Sequence, residues 1–233
     1  MTEKNEGVAS VERALAILNV FQHNDDALTL HEIANRTGLY KSTILRLLAS
    51  LLRFRCVQQL PDGRYQLGHA VLHWGSVYQA SLRLEDIVVP VLSDLADQTG
   101  EGASFFRREG DVRLCLFRID SQRSIRDHMH AGDILPLQTG AAGRVLLEFD
   151  PSVPKLPRAA VIVTIGEREP DIAAVAAPVF GAGRALRGAV AISGPASRFK
   201  REAIGRFSQS VRAAAIELTR RFGGDEAVFE ALA

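Results

Sequence analysis

Cysteine is scarce in this chain of 233 residues, and its scarcity excludes the class of small secreted proteins that disulfides hold together. Cys56 and Cys115 are the only cysteines and fall in different predicted domains, so a disulfide framework is implausible. The chain also lacks an apolar run near the roughly 18 residues that a membrane-spanning helix needs. Its polar opening segment, MTEKNEG, is unlike a signal peptide. We therefore expect a cytoplasmic protein with no membrane partner.

A large excess of either charge is missing as well. The 28 Lys and Arg residues nearly balance the 27 Asp and Glu residues, which leaves a net charge of +1 and excludes a general polyanion binder. Positive charge is nevertheless concentrated in one stretch, where a single acid, Asp62, accompanies Arg36, Lys41, Arg46, Arg53, Arg55 and Arg64. A local basic cluster of this kind is typical of a nucleic-acid-binding face.

Residues 29–53 predict two short helices joined by a tight turn. Thr29 and Glu32 have the spacing of a capping box, which predicts a first helix from Leu30 to about Thr37. Gly38 suits the left-handed conformation that commonly ends a helix, and a second helix is expected to begin near Lys41. The pattern indicates a helix-turn-helix.

The second of these helices has one apolar and one polar side. Its apolar stripe consists of Ile44, Leu47, Leu48 and Leu51. The opposite side offers slim polar groups and guanidinium groups, which suit the major groove of DNA. The candidate DNA-binding residues are Lys41, Ser42, Thr43, Arg46 and Arg53. An ordinary amphipathic helix with a solvated face remains the alternative.

The flanking segments favour a winged helix over residues 8–68. Two extended runs, 56–60 and 64–67, surround a Pro-Asp-Gly turn and predict a hairpin, in which Arg64 is placed to touch phosphate or the minor groove. Upstream, a third helical stripe follows Ser10, a plausible N-cap.

The C-terminal half predicts an α+β domain with an antiparallel sheet, over residues 85–223. A linker helix is expected at 69–84, and the segments 1–7 and 224–233 are expected to be tails. The other predicted helices are 85–99, 143–149 and 198–222. The predicted strands are 103–107, 112–118, 124–129, 159–164, 172–180 and 186–193.

Small residues at the start of the predicted helix near position 143 indicate a second site. Gly140, Ala141, Ala142 and Gly143 would leave backbone N–H groups and the positive end of the helix dipole open to an anion such as a carboxylate. A plain tight turn explains the same residues, and the sequence does not decide between the two. The Lys-Ser/Thr ending of a phosphate-binding loop is absent.

Taken in order, the motifs resemble the IclR family of bacterial transcriptional regulators. In the N-terminal half they are 11–15 (VERAL), 17–18 (IL), 30–34 (LHEIA), 41–43 (KST), 46–48 (RLL) and 62–68 (DGRYQLG). In the C-terminal half they are 132–137 (GDILPL), 143–147 (GRVLL), 176–179 (AAPV) and 192–195 (ISGP). The resemblance implies a winged helix that binds a double-stranded DNA operator, a linker helix, and a GAF-like domain that binds a small-molecule effector. It also implies a homodimer or homotetramer.

The resemblance further implies a pocket in the C-terminal domain. Backbone amides in the 140–142 stretch would hold a carboxylate, and strand residues would line the rest: Thr164, Ile172, Ala174, Ala191 and Ser193. The family often has more polar residues at 164, 174 and 191, so an apolar ligand body is expected. Two further departures are Arg55, where the family often has Gly, and a short segment over 150–158.

Other kinds of site are weakly supported by the sequence. We expect no cofactor and no catalysis, because no nucleophile motif or cofactor loop is present. His128 and His130 would share one face of a strand, next to Asp127, which is weakly metal-like, but no third ligand is evident. A solvated surface strand is therefore expected there, and residues 167–169 are expected to be a solvated charge run. Two rival classes remain: a DNA-binding protein whose C-terminal domain only oligomerises, and an enzyme with an accessory winged helix.

Overall fold

The computed structural model describes residues 7–82, 84–150, 159–230 and 232. Within it the chain divides between Ser81 and Leu82 into two compact units, each with its own hydrophobic core. Most of the predicted N-terminal tail and of the short 150–158 segment lies outside the described residues.

The N-terminal unit is mainly helical. Its elements are α1 (Ala9–Leu18), α2 (Leu30–Thr37), α3 (Lys41–Arg53), β1 (Val57–Gln59), β2 (Tyr65–Leu67) and α4 (His69–Leu82). The prediction of Ser10 as the N-cap of α1 is wrong. The N-cap is Val8, two residues earlier, and its carbonyl accepts the N–H groups of Val11 and Glu12, while no side chain caps the helix.

Local chemistry fixes the two-helix turn. The N–H of Thr29 donates to the Glu32 carboxylate at 2.7 Å, and the N–H of Glu32 donates to the Thr29 hydroxyl at 3.2 Å, so the predicted capping box is confirmed. Gly38 ends α2 with φ 69°, and its N–H donates to the carbonyl of Ala34. This conformation is inexpensive only without a Cβ.

The β1–β2 hairpin is joined, next to its turn, to the segment that precedes α2. Leu28, which precedes α2, exchanges two backbone hydrogen bonds of 2.7 Å with Tyr65. The side chains of Leu28 and Tyr65 are buried in one core with Ile17, Ile33 and Leu48. The fold of this unit is therefore the winged helix expected from the sequence.

The C-terminal unit is built on a six-stranded antiparallel sheet of order β5-β4-β3-β8-β7-β6. Its strands are β3 (Gly102–Glu109), β4 (Val112–Ile119), β5 (Ile134–Pro136), β6 (Ile162–Ile165), β7 (Ile172–Phe180) and β8 (Leu186–Pro195). Its helices are α5 (Glu85–Thr99), α6 (Ala141–Glu148) and α7 (Arg201–Arg221). The α+β class with an antiparallel sheet is confirmed.

Strand register assigns the two faces of the sheet. Ser104 pairs with Ala191 and Ser193 pairs with Ala174, so these four side chains share one face, the one that α6 covers. Phe105 points to the other face by alternation, where its ring lies 6.1 Å from that of Phe222 at the end of α7. The sheet is thus covered by α5 and α7 on one face and by α6 on the other.

The prediction of a solvated strand at 124–129 is wrong. The third strand at this edge is β5, and the segment before it is a loop in which Asp127 and Met129 are buried. Arg118 donates to the Asp127 carbonyl at 3.2 Å and Ser193 donates to its carboxylate at 2.6 Å. These polar contacts draw the loop inward and replace a strand ladder.

The segment after α7, predicted to be a tail, is packed into the core. Asp225 caps a short 3₁₀ helix, Glu226–Phe229, by accepting the N–H of Ala227. The Phe229 side chain is 1% exposed, and its ring lies 6.0 Å from that of Phe180. Val228 is buried as well, so this segment belongs to the core of the C-terminal unit.

Candidate nucleic-acid interface and ligand pocket

Helix α3 presents most of the predicted DNA-binding residues to solvent. Its buried stripe contains Ile44, Leu48 and Leu51, so the helix can turn only its opposite side outward. The side chains on that side are exposed Lys41, Ser42, Arg46 and Arg53, and half-buried Thr43. Among the described residues, no carboxylate forms an ion pair with any of these cations.

The wing residue Arg64 is different, because a neighbouring acid holds it. Its Nε lies 2.7 Å from Asp62 Oδ2, and its backbone N–H donates to Asp62 Oδ1 at 3.0 Å. These hydrogen bonds hold the pKa of Asp62 below its usual value, so the carboxylate is charged at neutral pH. The unpaired positive charge of this unit therefore lies on α3 more than on the wing.

A cavity of about 30 Å³ lies between the amino end of α6 and the sheet. All of the predicted effector-binding residues except Gly143 line it, namely Gly140, Ala141, Ala142, Thr164, Ile172, Ala174, Ala191 and Ser193. The sequence analysis missed the remaining lining residues, which are Ser104, Phe106, Arg113, Asp127, Met129, Arg168 and Ala173.

Gly143 has a packing role instead. A Cβ at this position would collide with the carbonyl oxygen of Leu137 and with the guanidinium group of Arg113. Glycine therefore lets α6 approach both the segment that precedes it and the Arg113 side chain, and Gly143 itself does not line the cavity.

The predicted backbone amides at the start of α6 do not all stand open. Gly140 donates its N–H to the Glu167 carboxylate at 3.2 Å, and the same carboxylate lies 3.0 Å from Arg144. The N–H groups of Ala141 and Ala142 have no hydrogen-bond partner in the part of the chain that the structure describes. The N–H group of Gly143 also has no partner among the described residues, but Gly143 does not line the cavity, so these two amides are the ones available to an anion bound there.

The prediction of a solvated charge run at 167–169 is wrong for Arg168, whereas Glu167 and Glu169 are exposed as expected. Arg168 lines the cavity and forms an ion pair with Asp127, with 2.5 Å between Nη2 and Oδ1. Although burial by itself raises the pKa of Asp127, the hydrogen bond from Ser193 and the charge of Arg168 hold that pKa below its usual value. Asp127 is therefore ionised inside the domain.

Arg113 is a second cation on the cavity wall. Its side chain is buried, with 3% of the residue exposed, and its guanidinium carbon lies 5.6 Å from the centre of the Phe106 ring. The Nη1 atom donates to the carbonyls of Thr139, at 2.5 Å, and Pro136, while Nε has no hydrogen-bond partner. Burial, and then the charge of Arg168, lower the pKa of Arg113 to about 10. Arg113 lies two residues before buried Cys115 in β4, so the two side chains point to the same face of the sheet. This alternation is the sequence signal that could have found Arg113.

The fold and these two surfaces define a winged-helix protein that carries a separate α+β domain with an interior cavity. None of the described helices is long and apolar enough to cross a membrane. The family model of the IclR helix-turn-helix domain matches residues 10–61. The model of the bacterial transcriptional regulator IclR C-terminal domain matches residues 77–156 and 152–220. The chain belongs to the IclR family of DNA-binding transcriptional regulators.

Individual relatives agree with this assignment. The chain is 25% identical over 252 residues to the HTH-type transcriptional regulator KipR of Bacillus subtilis, covering 96% of this chain and 99% of the relative. It is 30% identical over 222 residues to the glycerol operon regulatory protein of Streptomyces griseus, covering 82% and 86%. An IclR homolog of Microbacterium hydrocarbonoxydans, solved in complex with 4-hydroxybenzoate, shares the fold with a TM-score of 0.76 at 17% identity, covering 92% and 99%.

Proposed function

We propose that the protein binds a specific DNA operator and that a small carboxylate effector, bound in the cavity beside α6, controls this binding. The observation that carries the proposal is the pair of unpartnered amides of Ala141 and Ala142. They lie at the positive end of a helix dipole and line a cavity inside the domain. Amides in that position bind anions in many unrelated proteins.

DNA recognition is assigned to α3. Ser42, Thr43 and Arg46 would face base edges in the major groove, and Lys41 and Arg53 would contact phosphates. Arg64 of the wing would contact the backbone or the minor groove once it leaves Asp62. The exposure of α3 supports this assignment, as does the absence, among the described residues, of acids paired with its cations.

The remaining cavity wall suits an apolar ligand body. Ile172, Ala174 and Ala191 contribute aliphatic surface, while Thr164 and Ser193 offer hydroxyl groups. A cavity of about 30 Å³ holds only about two water molecules, since one water needs roughly 10–15 Å³. An aromatic acid can therefore fit only if part of the cavity wall moves. The flexible side chain of Met129 is the most adaptable group in the lining. The 4-hydroxybenzoate of the Microbacterium homolog makes aromatic acids a sensible first class to test.

We also propose a homodimer or homotetramer that acts in the cytoplasm, where the DNA of a bacterium lies. A single winged helix buries too little surface for operator-level specificity, whereas a dimer reads two half-sites. The exposed apolar side chains of α4 supply a pairing surface: Leu72, Trp74, Val77 and Tyr78.

The proposal is tested on the full-length protein in two steps. Sequencing of the genomic fragments that the purified protein retains yields the operator. Melting temperature and operator affinity are then measured with a panel of aromatic and aliphatic acids and their amides. An acid at about 100 times its dissociation constant should stabilise the fold by roughly 2.7 kcal/mol and change operator affinity.

The control variant is Ala141→Leu, which fills the cavity beside the amides. It should lose the melting shift but keep operator binding without ligand. Stabilisation by neutral or cationic compounds alone would refute the carboxylate assignment. A ligand that shifts melting without changing DNA binding would favour a C-terminal domain that only oligomerises, and turnover of the ligand would favour an enzyme.

A further inference from the structure

The cavity wall contains a positive charge that no carboxylate balances. Three charged side chains line the wall, namely Arg113, Asp127 and Arg168. Asp127 and Arg168 neutralise each other through their ion pair. Arg168 Nη1 also lies 3.4 Å from the carboxylate of Glu169, but Glu169 is exposed and does not line the cavity. Arg113 has no ion pair with any described residue, so the wall carries one uncompensated positive charge.

Neighbouring groups do not supply the missing negative charge. Arg118, which lies behind Ser104 and Ser193, is paired with Asp120 at 2.9 Å. Burial raises the pKa of the Cys115 thiol to about 12, so this thiol is neutral at physiological pH. Glu167 binds Gly140 and Arg144 and does not line the cavity.

Arg113 and the open amides converge on one place. A Cβ built on Gly140 would lie 3.4 Å from Arg113 Nη2, so the guanidinium group reaches the first residue before α6. The Nε of Arg113 is buried and has no partner, although buried donors are almost always hydrogen-bonded. A buried cation that lacks a counter-charge is costly, and an anion beside it would remove that cost.

Resting on the proposed function, we infer that Arg113 binds the carboxylate of the effector together with the amides of Ala141 and Ala142, and that the site accepts a monoanion. A monocarboxylate would balance the single excess charge and satisfy the Nε–H donor. A second carboxylate on the ligand would lie near Asp127 or remain buried without a partner. Dianions should therefore bind no better than monoanions of similar size.

A purely structural role for Arg113 makes different predictions. In that role, the guanidinium group would only tie the carbonyls of Pro136 and Thr139 to the ring of Phe106. Those contacts use Nη1 and the face of the group, and they leave Nε–H unaffected by added anions. A direct observation of Nε–H therefore separates the two roles.

The test is a titration of the full-length protein, labelled with ¹⁵N-arginine, with acetate at constant ionic strength. Acetamide is the uncharged control, malonate is the dianion, and benzoate is a larger monoanion. The Arg113 Nε–H signal is assigned by its loss in Arg113→Met. We expect its chemical shift to change with acetate and with benzoate along a saturable binding curve. Acetamide should leave it unchanged, and malonate should bind no more tightly than acetate.

Variants provide the second measurement, the melting shift that saturating acetate produces. Arg113→Met should weaken the apparent affinity by about tenfold or more, since a hydrogen bond to a charged group is lost. Arg113→Lys keeps the charge and should retain part of the affinity. Arg107→Met removes a guanidinium group from β3 that does not line the cavity, and it should behave like the wild type.

The outcomes distinguish this inference from the proposed function. If Arg113→Met keeps the acetate response while Ala141→Leu loses it, the role of Arg113 is overturned and the carboxylate pocket stands. If no monocarboxylate moves the Nε–H signal or the melting temperature of the wild type, both are overturned. If the Arg113 variants do not fold, the Nε–H signal is assigned by triple-resonance experiments on the wild type, and its titration then decides alone. Tighter binding of malonate than of acetate would overturn the restriction to monoanions.

Discussion

Asp127 and Arg168 lie 41 residues apart in the sequence, yet their side chains form an ion pair of 2.5 Å on the wall of one cavity. The pair joins the loop after β4 to the loop after β6. Asp127 is only 2% exposed, so its charge depends on this partner and on the hydroxyl of Ser193.

Replacement of Asp127 by Asn should therefore destabilise the protein by roughly 3 kcal/mol at pH 7, because Arg168 loses its buried counter-charge and keeps only the exposed Glu169, 3.4 Å away. The folded-state pKa of Asp127 is depressed, so its contribution is present above the ordinary value of 3.8 and is lost as pH falls through the lower folded value. The stability difference between wild type and variant should shrink below pH 3.8, as measured by urea unfolding at several pH values. Ser193→Ala, which keeps the ion pair, is the control and should cost less. A difference that stays constant down to pH 2 would show that the carboxylate charge is not the cause.

Replacement of Arg46 by Ala should reduce operator affinity by about 1–3 kcal/mol and relax base preference, if Arg46 contacts base edges. Binding to a set of operators with single base changes measures both effects. Arg144→Ala, an exposed arginine in the other unit, is the control and should bind like the wild type. Unchanged preference in the Arg46 variant would remove this residue from the recognition surface.

The ion pair between Asp62 and Arg64 in the wing predicts opposite effects on DNA affinity when one or the other partner is removed. Asp62→Asn releases Arg64 and should raise the affinity for all DNA sequences by a similar factor. Arg64→Ala should lower the affinity for all sequences by a similar factor. The slope of log affinity against log salt should become less steep by about one unit in the Arg64 variant. Weaker binding by Asp62→Asn would mean that the pair holds the shape of the turn instead of restraining a DNA contact.

Arg55 adopts φ 60°, a left-handed conformation that is unfavourable for a residue with a Cβ. Arg55→Gly should therefore stabilise the N-terminal unit by up to about 1 kcal/mol, which chemical denaturation monitored in that unit can measure. Arg55→Ala removes the same charge but keeps the Cβ, so it should give no gain. Equal stability of the two variants would indicate that the backbone at this position is not strained.

Trp74 is 53% exposed on α4, and a charge there should oppose pairing of this helix with a second copy. Trp74→Glu should shift the protein toward monomer in analytical ultracentrifugation and weaken operator binding together with it. Ser76→Glu places the same charge on the side of the helix opposite Trp74, beside Leu72, and should have the smaller effect. A monomeric Trp74 variant with normal operator binding would contradict the link between assembly and recognition.

Where neighbours in the sequence decide the structure, the sequence alone predicted it. The capping box of Thr29 and Glu32, the left-handed Gly38 and the apolar stripe of α3 depend on contacts within a few residues, and all three are observed as expected. The hairpin also follows from its own turn. The same local rules failed for Ser10, because a backbone carbonyl capped the helix without a side chain.

The cavity illustrates what only the tertiary structure decides. Small residues before a helix indicated an anion site near 140–143, but they could not show which amides an internal acid such as Glu167 already occupies. Arg113, Asp127 and Arg168 lie in three separate segments of the chain. Their sequence patterns predicted that Asp127 lies on a solvated strand and that Arg168 lies in a solvated charge run. Sheet register and the packing of α6 bring the three side chains to one cavity. The balance of charge inside that cavity depends on distances between residues that are far apart in the chain. Local sequence patterns depend only on near neighbours, so they cannot predict those distances.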